Sequence, residues 1–210
     1  PTRRSSELKK NYKVSYASKQ AICASLKRQM AQKPLDKITI AEIMNGCGMR
    51  RQHFYYHFTD IYDAVRWMFE EEAVSLLRQQ EGALLWQEGL LQLFRYLTEN
   101  RTVCLCALNS LSREHIRQFF ETNITAIVRR TIDHIAQHVG LSEWQTEFET
   151  ELMTRFYVVS LSGMVECWLL GEISCMPEEL IQFADTMLKD QIRGLILRFT
   201  GNAGQLEIGV

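Results

Sequence analysis

The nine residues 50-RRQHFYYHF-58 concentrate hydrogen-bonding groups on cationic and aromatic side chains. The guanidinium forks of Arg50 and Arg51 can meet the two acceptors on a guanine edge, and the Gln52 amide matches the donor and acceptor of adenine. The hydroxyls of Tyr55 and Tyr56 and the imidazoles of His53 and His57 can hold phosphate oxygens. The stretch is too polar for a core segment and too aromatic for an ordinary solvated loop. On a helix, at about 100° per residue, Phe54 and Phe58 lie about 40° apart, with Gln52 and Tyr56 roughly opposite and His53 and Tyr55 on the flanks. The spacing predicts a short helix held down by two phenylalanines and presenting a polar aromatic face. Such a face suits a protein interface as well as a nucleic acid, since interfaces also favour Tyr and Arg.

The elements that must position this face are legible just before it. Within 16–33, Ala21, Ile22, Leu26 and Met30 form one apolar stripe, with Lys19, Lys27 and Arg28 elsewhere on the cylinder, and Pro34 ends the helix. In 39-TIAEIMNGCG-48, Thr39 and Glu42 have the spacing of a capping box, Ile40 and Ile43 offer an inner face, and Gly46 and Gly48 break the helix within about three turns. A short capped helix, a glycine turn and a second short helix with an outward polar face is the layout of a helix-turn-helix, whose second helix enters the DNA major groove.

Charge supports a nucleic-acid partner. From Pro1 to His57 there are 12 Lys+Arg against 3 Asp+Glu, and the remainder carries 12 against 22, so a net charge of −1 conceals a basic module joined to an acidic one. The chain has 210 residues, enough for a small domain plus a larger one, and its 3 prolines and 11 glycines leave room for long helices. No apolar run of about 18 residues occurs, and 1-PTRRSSELKKNYK-13 has charge without an apolar region behind it, so the chain reads as soluble, unexported and cytoplasmic, with no membrane partner. The six cysteines then read as reduced thiols. Cys104 and Cys106 point about 200° apart on a helix, and His134 with His138 lacks a third ligand, so no metal and no cofactor is expected. There is no G-x-S-x-G, phosphate-cradling glycine loop or H-E-x-x-H, which argues against an enzyme.

The run 38-ITIAEIMNGCGMRRQHFYYHFTDIYDAV-65 resembles the DNA-binding domain of TetR-family transcriptional regulators, and with the preceding helix the resemblance covers about the first third of the chain. It implies an all-α protein: a three-helix, helix-turn-helix DNA-binding domain over 16–58, preceded by a basic arm over 1–15, and a connecting helix from about Asp60. A helical dimerisation and effector domain then fills 59–200, with a tail over 201–210. It further implies Thr39 at a phosphate-contacting N-cap, Arg51, Gln52 and His53 at base-reading positions, and Tyr55, Tyr56 and His57 against the DNA backbone, with Phe54 and Phe58 in the core. The family's lysines around the start of the fourth helix are replaced by Thr59 and Ile61. Arg50, Lys37 and the arm residues Arg3, Arg4, Lys9, Lys10 and Lys13 are the cations available in their place, though a solvated tail is an equal reading of that arm.

Beyond residue 58, periodicity predicts helices at about 60–80, 84–99, 103–110, 112–139, 143–172 and 177–199. Breaks fall at Gly82, Asn100, Gly140 and Met176–Pro177, with Ser112 and Ser142 as N-caps. The last two helices are apolar over wide faces: Leu152, Phe156, Val159, Leu161, Gly163, Met164 and Trp168 in one, and Leu180, Phe183, Met187, Ile192, Leu195 and Ile196 in the other. In the family these helices pair with their copies, which implies a homodimer on a near-palindromic operator of double-stranded DNA. Trp86, Phe94, Phe119, Phe120, Tyr157 and Trp168 read as core, with an effector cavity as the alternative. The pattern 156-FYVVSLSGMVECWLLGEISCMPEELIQF-183 resembles the branch containing the dihydroxyacetone kinase regulators. That implies a signal arriving from a small molecule or from a kinase-like co-regulator protein.

Overall fold

The computed structural model of the protein describes residues 3–78, 86–138 and 146–199, and among them no strand occurs. The helices are α1 (Arg3–Met30), α2 (Ile40–Gly46), α3 (Arg51–His57), α4 (Ile61–Phe69), a π turn (Glu70–Val74), α5 (Ser75–Arg78), α6 (Trp86–Glu99), α7 (Arg101–Ser110), α8 (Arg113–His138), α9 (Glu147–Leu170) and α10 (Pro177–Phe199). They group into two compact units: Pro1–Ala73 with Glu99–Phe119, and Val74–Thr98 with Phe120–Val210.

The first unit is built on the stripe of α1. Ile22, Leu26 and Met30 are buried against Ile43 and Met44 of α2, Phe54 of α3, and Ala64, Val65 and Met68 of α4. Val103 and Ala107 of α7 enter the same core, so part of the stretch 59–200 packs with the helix-turn-helix. The residues read as a basic arm are helical from Arg3 onward, which follows from the absence of glycine or proline between Arg3 and Met30. The side chains of Arg3, Arg4, Lys9 and Lys10 lie outside the described residues.

Local signals explain the boundaries. Thr39 caps α2, accepting from the Glu42 N–H while Glu42 Oε2 accepts from the Thr39 N–H. The two glycines of the turn act differently from the expectation that both break the helix. Gly48 takes a left-handed φ of 68°, whereas Gly46 is still helical and is required by contact: a Cβ there would stand 2.2 Å from Ser25 Oγ on α1. Further along, Ser112 caps α8 by accepting from the His115 N–H, Gly171 ends α9 at φ 80°, and Pro177 opens α10. The cap of α9 is Thr146, with Glu149 completing a second capping box; Gly82, Gly140 and Ser142 lie outside the described residues. The π turn has no sequence precursor, since EEEAV contains no breaker.

In the second unit, Val128 and Ile132 of α8 pack on Val158 of α9, and Phe94 of α6 meets Trp168 of α9 edge-on with centroids 4.9 Å apart. Arg129 ties α8 to α9 by donating to Glu147 at 2.7 Å and to its own neighbour Asp133. The faces of α9 and α10 divide. Val165, Leu169, Leu180 and Ile181 turn inward, while Phe148, Leu152, Phe156, Val159, Phe183 and Met187 remain exposed. The side chains of Ile192, Leu195 and Ile196 lie outside the described residues. No helix among those described is long and apolar enough to cross a membrane.

Candidate nucleic-acid interface

The turn between α2 and α3 is closed by the Gly48 N–H donating to Asn45 O at 3.2 Å and the Met49 N–H to Met44 O at 3.0 Å. Arg50 is then extended and α3 begins at Arg51. Phe54 is completely buried and Phe58 is 3% exposed, with their rings 5.7 Å apart. Phe58 does its anchoring from an extended position (φ −140°, ψ 142°) just beyond α3, rather than from a last helical turn. The opposite face of α3 is open: Arg50, Arg51, Gln52, His53, Tyr55 and Tyr56 are exposed, Tyr56 at 78%. Six of the eight residues singled out by sequence therefore share the exposed surface around α3, and the seventh, His57, is half-buried at its end. The eighth, Thr39, caps α2.

Their local chemistry is not uniform. Thr39 is exposed, but its hydroxyl donates to Glu42 Oε2 at 2.8 Å and its N–H is bound to the same carboxylate, so its donors are already engaged. Hydrogen bonds from Lys33 and from Thr39 hold the Glu42 carboxyl down to about 2. Arg51 Nη2 donates to Tyr55 Oη at 3.3 Å. His57 is half-buried beside Tyr56, with centroids 4.9 Å apart, and its pKa is lowered by burial first and by the charges of Lys19 and His53 after that. In the free protein His57 is accordingly a mostly neutral imidazole near pH 7, able to donate to a phosphate.

Lys19 was missed. Its Nζ stands 5.4 Å from the ring centroid of Phe58, just beyond α3, and 5.3 Å from that of Trp67 on α4. The signal was present: Lys19 precedes the buried Ile22 and Cys23 by three and four residues, which puts it at the edge of the inner stripe with a snorkelling ammonium. Arg28 donates to Gly46 O at 2.9 Å and fastens α1 to the end of α2.

The edge after α3 is shaped differently from a lysine-flanked one. Ile61 packs against the core. The Thr59 N–H and hydroxyl donate to Asp63 Oδ2, and Asp60 caps α4 by accepting from the Asp63 N–H at 2.7 Å. Side chains that could have carried positive charge are used there for packing and capping.

An outward polar face on a core-anchored short helix, following a capped helix and a left-handed glycine, is the geometry of a helix-turn-helix. Residues 85–190, half of the chain, match the TetR_C_8 family, described as "Transcriptional regulator C-terminal region", and the chain belongs to this family of TetR-type transcriptional regulators, which are not enzymes. Two of the proteins the chain is similar to are named DhaS. Over 91 residues the chain is 32% identical to the "HTH-type dhaKLM operon transcriptional activator DhaS" of Lactococcus lactis subsp. lactis (strain IL1403), a match covering 43% of this chain and 49% of that protein. The match thus spans about half the length of that relative. The solved structure of "Dihydroxyacetone kinase operon activator DhaS" has a TM-score of 0.64 at 21% identity, covering 84% of this chain and 96% of that one, and at that identity the likeness is one of fold.

Proposed function

We propose that the protein is a sequence-specific DNA-binding regulator in the cytoplasm, acting as a homodimer on a near-palindromic operator. The observation that carries this reading is α3: its fully buried Phe54 fixes a helix whose opposite face presents Arg51, Gln52, His53, Tyr55 and Tyr56 to solvent. Arg51 and Gln52 read base edges, His53 stands beside them, and Arg50, Tyr55, Tyr56 and His57 bind the phosphate backbone. Thr39 contributes mainly by setting the start of α2.

The homodimer is supported by the outer face of the last two helices. Phe148, Leu152 and Phe156 recur every four residues on α9, with Phe148 67% and Phe156 60% exposed, and Phe183 and Met187 do the same on α10. Gly163 lies two turns beyond Phe156 and Gly194 two turns beyond Met187, and a Cβ at either would meet nothing within 4 Å. Open glycines in line with exposed apolar residues allow another helix to approach closely.

The named relatives regulate operons for a dihydroxyacetone kinase, so the signal here comes from a small molecule or a kinase-like partner protein. One apolar recess of the second unit, lined by Leu90, Phe94, Met164 and Leu180 among others, is about 20 Å³, room for roughly one water. That recess is too small for an effector as it stands. Either signal would act by binding one arrangement of the dimer better and so shifting the population in which both recognition helices meet their half-sites.

Selection from random duplexes tests the reading. A near-palindromic consensus, bound with a steep inverse salt dependence, is expected; a helical protein-interaction module would return no consensus.

A further inference from the structure

We propose that Tyr55 is the positioning residue for Arg51, fixing the direction in which its guanidinium meets a base edge and linking that reading to the DNA backbone through one hydroxyl. The inference rests on the DNA-binding reading of α3. Arg51 and Tyr55 are four residues apart and so neighbours on one helix face. The Arg51 guanidinium donates to Tyr55 Oη at 3.3 Å and stands 5.9 Å from the centroid of its ring. The Tyr55 ring is itself set edge-on to Phe54, with centroids 5.8 Å apart and planes at 83°. Phe54 is completely buried. A chain of contacts therefore runs from the core of the first unit through a rigid ring to an otherwise long and flexible cation.

The chemistry of the hydroxyl makes the link two-sided. Arginine has only donors, so Arg51 occupies a lone pair of Tyr55 Oη and leaves the phenolic proton free to go to a phosphate oxygen. The same oxygen then accepts from the base-reading residue and donates to the backbone of the DNA. A solvent-exposed bond of this length adds little stability in the free protein. Its effect is on aim: an arginine already held near its bound direction loses less rotamer freedom on docking, and the gain falls on the base it reads.

The test is a double-mutant cycle on the full chain, with Tyr55→Phe, Arg51→Ala and the pair, measured against the selected operator and a panel of its single base-pair variants. Tyr55→Phe keeps the ring and its contact with Phe54, and an unchanged unfolding midpoint confirms that. Arg51→Ala is expected to flatten preference at one base pair of each half-site. Tyr55→Phe is expected to flatten the same position, by about threefold to tenfold, and to weaken every duplex by a further common factor. In the Arg51→Ala background only the common factor should remain. The proposal is overturned if Tyr55→Phe weakens all duplexes alike and does so equally with and without Arg51, which would make Tyr55 a phosphate anchor alone. It falls equally if Arg51→Ala leaves the preference intact, whereas failure of the DNA-binding reading would already have been seen as the lack of any consensus.

Discussion

Small contacts around α3 decide how the reading surface is held, and single substitutions should expose them. A Cβ on Gly46 would stand 2.2 Å from Ser25 Oγ, whose hydroxyl is bound to Ile43 O at 2.7 Å. Gly46→Ala should therefore destabilise the protein by about 1–3 kcal/mol, read as a lowered denaturation midpoint, and Ser25→Ala in the same chain should recover much of the loss. Unchanged stability of the single variant would contradict the contact. His57 gives a pH prediction. Its pKa is lowered in the free protein, and a nearby phosphate would raise it, so the complex binds more protons than the free protein and affinity rises as pH falls from about 8 toward 6. His57→Gln should remove part of that slope while leaving His53 in place; an equal slope in the variant would rule out His57. At this scale the aromatic residues were legible, because Phe54 and Phe58 sit four apart, while Lys19 was not, because its charge hid its place on the inner stripe.

Among the elements, the capped starts of α2 and α9 do most to set where helices begin. Thr39→Ala should cost about 0.5–2 kcal/mol of stability, and, since α2 supports the turn into α3, DNA affinity should fall with it at temperatures near the unfolding transition. Titration sharpens the point: Glu42 is held down to about 2, so its contribution to stability is complete above its ordinary value of 4.5 and is lost as pH falls toward 2. Stability followed by circular dichroism across that acid range should show a smaller loss in Glu42→Gln than in the parent chain; parallel curves would contradict the assignment. Capping boxes were legible at 39–42 because type and spacing are local. The π turn at Glu70–Val74 was not, because it arises from packing around it, where Lys27 pairs with Glu72 and Tyr16 donates to Glu71 at 2.6 Å, rather than from any breaker.

Taken as a whole molecule, the chain divides its labour by charge and by surface. The basic N-terminal unit carries α3, and the exposed apolar stripe of α9 and α10 is the surface through which a second copy is proposed to pair. Phe156→Asp should convert the dimer to a monomer at micromolar concentration in sedimentation, with binding reduced to single half-sites; an undisturbed dimer would place the interface elsewhere. An all-α chain was legible from its few breakers and helical periodicities, but the membership of α7 in the first unit was not, because it depends on contacts made across long stretches of sequence. The proposed function turns on base reading by α3. The most direct measurement is the affinity of the parent chain and Gln52→Ala for the selected operator and for a scrambled duplex at the same salt. Gln52→Ala is expected to lose about 1–3 kcal/mol on the operator and nothing on the scrambled duplex. Equal losses on both, or none on either, would contradict it.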